Sequence, residues 1–440
     1  MGRLLLKLSS ISVVCFGLLI PLHSSAQTLE QAVAVTFSTN PEIKSAFNEY
    51  MSKRYIIDQS TGAYKPTIDL DAGIGYEGID PAKSADRTDM TRKEAAITFS
   101  QLIWDGSKTL YDIDRTSADA ESVRYQLLAD AQNIALQVAK AYLDVIKAQQ
   151  FITLSESNLN THERIYTDIK KRTESGIGSV ADLTQVEGRL AKAHNNLLAA
   201  QNNYKDAQTT FIRLVGENPQ DLIFPRADQN FIPDSLDEAK YQAFENHPVI
   251  KIALADVDSA RFQYQQADAN HYPVVSVEAA QNWRDDAGGI EGNSSETTAM
   301  LRVRYNLYNG GRDSANTDSM AYQLNKAKDL RERAYRSVEQ ELSLSWSALE
   351  LTGKQKTFLS QHVDSMSDTV VAYQKQYRIG KRTLLDLLNT ENELFESRKN
   401  YLETKFDQQY AKYRTLTSTG KLLDALRVDI PQEWTQPVEY

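Results

Sequence analysis

The sequence predicts an α/β membrane protein in which four short strands alternate with very long helices. Three observations carry this: the chain repeats itself once along most of its length, four segments alternate apolar and polar residues, and long proline-free stretches carry apolar residues at steps of 3 and 4. Each element follows from its own residues.

Arg3 and Lys7 precede an apolar run over residues 8–22, and Ser24, Ser25 and Ala26 offer the small-residue pattern of a signal-peptidase site. Residues 1–26 are therefore expected to be a signal peptide. The single cysteine, Cys15, lies inside that run, so the mature chain is expected to hold neither disulfides nor thiolate metal sites. Apolar residues continue past Cys15, which disfavours a lipoprotein reading. Beyond the signal no apolar run is long enough for a membrane helix, and mean hydropathy is -0.49. A net charge of -10 without a basic stripe excludes nucleic acid as the expected partner.

The duplication pairs "TLEQAVAVTFSTNPEIK" (28–44) with "SLDEAKYQAFENHPVIK" (235–251), aligning Leu29 with Leu236, Phe37 with Phe244 and Pro41 with Pro248. The spacing shortens by three residues at "IWDG" (103–106) against "LYNG" (307–310), as one loop difference would do, and then aligns Gly176 with Gly380 and Asp182 with Asp386. The expected organisation is a first repeat over 27–220, a linker over 221–234, a second repeat over 235–426 and a C-terminal segment over 427–440. Repeats of this length are large supersecondary units rather than solenoid modules.

Each repeat opens with a helix. Strand pairs follow at 66–79 with 93–104 and at 273–284 with 297–308, where Ile68, Leu70, Ile74 and Tyr76, or Val275, Val277, Leu301 and Val303, fall on one face. Arg302 and Arg304 fall on the other. The connections, rich in Asp, Gly, Ser and Thr, read as hairpin loops. Alternation alone favours a soluble half-buried hairpin over a membrane one.

Coiled-coil helices are predicted over 107–174, 181–215, 312–378 and 384–426. Leu183, Val186, Leu190, Ala193, Leu197 and Ala200 form one seam, and Ile134, Val138, Ala141 and Val145 another. A helix of that length is a rod of about 100 Å.

Four strands cannot close a barrel, and lipid tolerates no open sheet edge, so the chain must associate. A trimer supplies twelve strands and a tube of long helices. The signal peptide, hairpins, rods and duplication agree with that assembly. An exported coiled-coil structural or adhesion protein without a pore is the competing class, and it gives no reason for lipid-length strands with arginines on one face.

The duplicated opening, the strand ends "QLIWDG" and "YNLYNGG", and the turns "SGIGSVADL" and "IGKRTLLDLL" resemble the TolC family of outer-membrane channel proteins over nearly the whole mature chain. The resemblance implies a homotrimer in the bacterial outer membrane with a twelve-stranded barrel and a periplasmic helical tunnel. It implies as partners a periplasmic adaptor and an inner-membrane ABC or other transporter. "GKRTLLDLLNTENELF" resembles the branch serving type I protein secretion, with multidrug or small-molecule efflux as the alternative.

It also implies site residues. Asp386 corresponds to the constriction aspartate of the family, with Asn389 where a second aspartate is common. Tyr377 and Arg382 correspond to the residues that hold the tip closed, and Asp182 is their expected partner. Gly176 and Gly380 end long helices where positive φ is wanted, and Ile177, Val180, Lys381 and Thr383 are expected adaptor contacts at the same tip. Read without the resemblance, these are two capped turns and an aspartate on the polar face of a helix. The six histidines show no zinc spacing, and no nucleophilic triad or phosphate loop is present, so the reading is a channel rather than an enzyme, without cofactor or metal.

Overall fold

The computed structural model describes residues 26–80 and 87–436. The expected signal peptide thus lies outside the described residues except for Ala26, as do part of the first hairpin connection and the last four residues.

Each repeat opens with two helices, α1 (Leu29–Thr39) and α2 (Pro41–Gly62) in the first, α5 (Leu236–Asn246) and α6 (Pro248–Asp268) in the second. A single helix was expected. The break falls at Asn40-Pro41 and His247-Pro248, because a residue preceding proline is driven out of the helical region; Asn40 and His247 sit at ψ 125 and 124. Each then caps the helix that follows, Asn40 Oδ1 accepting from Glu42 N at 2.8 Å and His247 Nδ1 accepting from Val249 N at 3.3 Å.

The strands β1 (Thr67–Ile79), β2 (Thr88–Trp104), β3 (Val274–Ala287) and β4 (Ile290–Arg304) form one antiparallel sheet in the order β1-β2-β3-β4. β2, β3 and β4 extend into segments expected to be loops, and β4 stops at Arg304, short of the expected 308. The second hairpin closes on Gly288-Gly289, both at positive φ, with Ala287 paired to Ile290. Strand pairing satisfies the backbone whatever the side chains are, so polar composition alone did not place the turn.

Below the sheet run α3 (Lys108–Glu174) and α7 (Arg312–Arg378), each 67 residues, with the returning helices α4 (Val180–Val215) and α8 (Leu384–Ser418). α8 ends eight residues before the expected boundary at 426. Gly420 turns the chain at φ 74, the short α9 (Leu422–Ala425) follows, and α10 (Gln432–Thr435) lies within the C-terminal segment. That segment folds back: Trp434 is buried against Phe37 and Phe47, and Arg124 Nη1 donates to its carbonyl at 3.0 Å.

The main core gathers α1, α2, the middle of α3, and the ends of α4 and α8 around Leu127, Val138, Tyr142, Phe211 and Leu416. Tyr142 ties the N-terminal strand of chain to the linker, its hydroxyl within 2.7 Å of the Gln27 carbonyl and 2.8 Å of that of Ile223. Going round the bundle, α2 packs on α3, α3 on α6 and α6 on α7 near the sheet. Toward the tip α4 packs on α3, α3 on α8 and α8 on α7. A smaller cluster of Ile169, Val186, Leu384 and Leu388 joins all four long helices at the tip, with Tyr377 packed against it.

Candidate channel lining and periplasmic tip

Register sorts the sheet residues into two faces, because directly paired residues share a face. Ile68 pairs with Phe99, Leu70 with Ile97, Phe99 with Ala279 and Val277 with Leu301, so these residues make one apolar face. Ile68, Leu70 and Leu301 are 72%, 71% and 68% exposed, an uncovered patch that water does not favour and lipid does. The opposite face carries most of the charges: Arg302 Nε donates to Glu278 at 2.7 Å, Arg92 bridges Glu77 and Glu94, and Arg304 lies beside Val274, while the Lys93–Asp285 ion pair (3.2 Å) sits on the apolar face at its hairpin end. β1 and β4 are the sheet edges. No helix among the described residues is long and apolar enough to cross a membrane.

At the tip both turns share one construction. Gly176 and Gly380 sit at φ 74 and 77, and the bonds Ile177 N to Arg172 O (3.0 Å) and Lys381 N to Gln376 O (2.9 Å) close the helix ends. Ser179 and Thr383 then cap α4 and α8. Ile177 and Val180 project from the first turn at 83% and 71% exposure. Lys381 and Thr383 occupy the second turn, and Thr383 is committed to its cap.

Asp386 completes that cap. Its carboxylate accepts from Thr383 N at 3.3 Å and from Thr383 Oγ1 at 2.9 Å, with Arg382 at 4.0 Å. The Thr383 hydrogen bonds, with a smaller contribution from Arg382, hold its pKa below the usual carboxylate range. Within one chain its pKa therefore moves down. The side chain remains 40% exposed, so capping leaves it open to solvent.

Arg382 and Tyr377, expected to act together on Asp182, are separated. Arg382 donates to Gln376 Oε1 at 3.1 Å and stacks 4.3 Å from the Tyr373 ring, within its own coil. Tyr377 instead lies under the Arg172 guanidinium at 5.4 Å. Burial raises its hydroxyl pKa; Arg172 opposes this, and Asp182 and Asp168 add to it. Asp182 thus acts on Tyr377 electrostatically, and among the described residues it forms no ion pair with Arg382. Asn389 accepts from Arg189 at 2.9 Å, and Lys192 reaches Asn392 at 3.2 Å, tying α4 to α8. Sequence reasoning missed Arg172, Tyr373 and Arg189. The run Lys170-Lys171-Arg172 was visible as a basic helix end, but nothing in one chain's periodicity says which of its side chains crosses to another coil.

The model of the family described as "Outer membrane efflux protein" matches residues 35–217 and 240–420, both repeats. The chain belongs to the outer membrane efflux protein family. Among its relatives are the outer membrane efflux protein BepC of Brucella suis, 25% identical over 92% of this chain and 88% of the relative. The alkaline protease secretion protein AprF of Pseudomonas aeruginosa is 21% identical over 93% and 88%. The solved Campylobacter jejuni CmeC outer membrane channel superposes with a TM-score of 0.79 at 13% identity, covering 90% of this chain and 86% of that one.

As a member of the efflux protein family the chain is a non-enzymatic outer-membrane conduit, and the four-stranded sheet is one third of a trimeric barrel above a helical periplasmic tunnel. Such channels are homotrimers that work with periplasmic adaptors and inner-membrane transporters. The non-channel adhesion reading is thereby set aside.

Proposed function

We propose that this chain is the exit duct of a type I protein secretion machine, receiving polypeptide from an ABC transporter through a periplasmic adaptor. The observation that carries the reading is the chemistry of the second-repeat tip. Asp386 stays ionised but has Arg382 at 4.0 Å, and Asn389, where an acid is common, is neutral and accepts from Arg189, so at this level each copy sets one carboxylate against two guanidinium groups. Such a tip filters weakly by charge, which suits a polypeptide whose sign varies along its length. The resemblance of "GKRTLLDLLNTENELF" to the secretion branch and the name of AprF point the same way. Small-molecule efflux is the second reading, favoured by the name of BepC.

In this proposal Tyr377, Arg382, Asp386, Asn389 and Asp182 form the periplasmic gate and constriction. Gly176, Ile177, Val180, Gly380, Lys381 and Thr383 form the adaptor-contact tip, the exposed Ile177 and Val180 supplying its apolar part. Arg302 and Arg304 line the barrel lumen. Deleting the gene tests the cargo: a protein lost from the medium with drug tolerance unchanged is expected, and drug sensitivity with secretion intact would favour efflux instead.

A further inference from the structure

The two hairpins carry unlike residues on the lipid-facing side of the sheet. Climbing β1 toward its loop, that side reads Leu70, Ala72 and Ile74, apolar throughout. On β3 and β4 the same three rows hold Gln281 with Thr297, Trp283 with Ser295, and Asp285 with Asn293. Lys93 of β2 joins the last row, its ammonium 3.2 Å from Asp285. A polar stripe therefore runs up a face that hydrocarbon should cover, where polar and charged groups cost more the deeper they lie. Its lower row is satisfied internally, the Thr297 hydroxyl donating to Gln281 Oε1. Its upper part is open. Trp283, 44% exposed, stands between the small Ala95 and Ser295, and with Lys93, Asp285 and Asn293 these residues line a depression of about 370 Å³.

Strand geometry fixes the height of this depression. Asp285 lies ten residues beyond Val275, the lowest β3 residue on the same face. At about 3.3 Å per residue and a tilt of about 40° that is a rise of about 25 Å, the thickness of the apolar band of an outer-membrane barrel. The helices leave from the opposite end of the sheet, so this end is the outer one and the depression sits level with the headgroups of the outer leaflet. β2 and β3 are the inner strands, so a barrel closed through the edges β1 and β4 leaves the Lys93, Trp283 and Asp285 side of it uncovered.

We propose that this depression binds the phosphorylated sugar headgroup of an outer-leaflet glycolipid. The Trp283 ring offers a flat apolar face on which the C–H face of a sugar stacks. Asp285, Asn293 and Ser295 beside it are hydrogen-bonding partners for sugar hydroxyl and amide groups. The Lys93 ammonium has three donors and gives one to Asp285, which leaves it able to hold a phosphate. Asp285 also offsets the charge of Lys93, so an anion alone gains little here, and phosphate and sugar are recognised together. An aromatic girdle residue requires none of these polar neighbours. The outer leaflet of a bacterial outer membrane presents such headgroups on its phosphorylated glycolipid.

The site depends on the barrel's place in the outer membrane and not on the cargo. To test it, the unmodified trimer in mixed detergent micelles is titrated with bisphosphorylated lipid A, with the same glycolipid after phosphatase treatment, and with phosphatidylglycerol, and bound lipid is counted by native mass spectrometry. Lipid A is expected to bind at least about tenfold more tightly than either control, the gain from one charge-assisted hydrogen bond. Lys93→Gln should erase the difference between the phosphorylated and dephosphorylated forms. Trp283→Leu, which keeps the face apolar, should weaken both forms alike. Equal affinity of the unmodified trimer for all three lipids would mean ordinary annular contact, and a preference for phosphatidylglycerol would mean a site that reads charge alone; either result overturns the proposal. So would variants, trimeric by size-exclusion chromatography, that bind lipid A as the unmodified protein does.

Discussion

α3 and α7 are duplicates of equal length that end in different surroundings. α3 is buried from Thr116 to Ile169 by helices of its own chain, whereas α7 buries only Val338, Leu342, Ser345 and Val370. Local sequence sets the length and period of a helix; which face becomes a core depends on what covers it. The first coil is completed within the chain, and the second is left to be completed by a neighbour.

Truncation should expose that difference most strongly. Leu127→Ala, at a fully buried α3 position, is expected to destabilise the fold by about 3–4 kcal/mol. Leu351→Ala, 56% exposed on α7, should leave the folding of a single chain nearly unchanged and weaken trimer retention instead. Denaturant titration in detergent, followed by both tryptophan fluorescence and trimer content, separates the two effects.

The paired caps sharpen the comparison. Asn40 cannot titrate, but its counterpart His247 caps α6 through an unprotonated Nδ1, and burial pushes its pKa down to about 4 from 6.5. Above pH 6.5 folded and unfolded forms are both neutral. As pH falls from 6.5 toward 4 the unfolded form takes up a proton that the folded form resists, so stability declines, by about 3 kcal/mol at pH 4. His247→Asn, which installs the first repeat's cap, should flatten that part of the melting-temperature profile between pH 7 and 4.

The tip turns offer a milder contrast. Gly176→Ala and Gly380→Ala should each cost about 1 kcal/mol, since both turns need the left-handed conformation equally. Asp386→Ala, acting on the second turn alone, should produce a small shift of reversal potential away from cation preference in a planar bilayer. An unaltered potential would remove Asp386 from the constriction.

Much of this was legible in the sequence because it is periodic. The alternation through Ile68–Tyr76, the seam through Leu183–Ala200 and the glycine turns are local signals, and their elements lie close to the expected positions. The strand ends around Gly288-Gly289 were obscured by polar residues that pair as readily as apolar ones. The helix breaks at Pro41 and Pro248 carried a signal, a capping residue followed by proline, that was read only as repeat alignment. At the site, Asp386 was legible as an acid near a helix start, but its cap with Thr383 was not read, and Arg172 over Tyr377 depends on how two coils sit together. No spacing within one helix specifies that.

The two tip turns share their glycine and aspartate, and only the second adds Tyr377 and Arg382. If Arg382 helps to hold a closed gate, its loss should be felt as conductance and not as stability. Single-channel recording of the Arg382→Ser trimer in a planar bilayer tests this most directly. A conductance several-fold above that of the unmodified channel is predicted, and an unchanged conductance from a properly assembled trimer would contradict the gate.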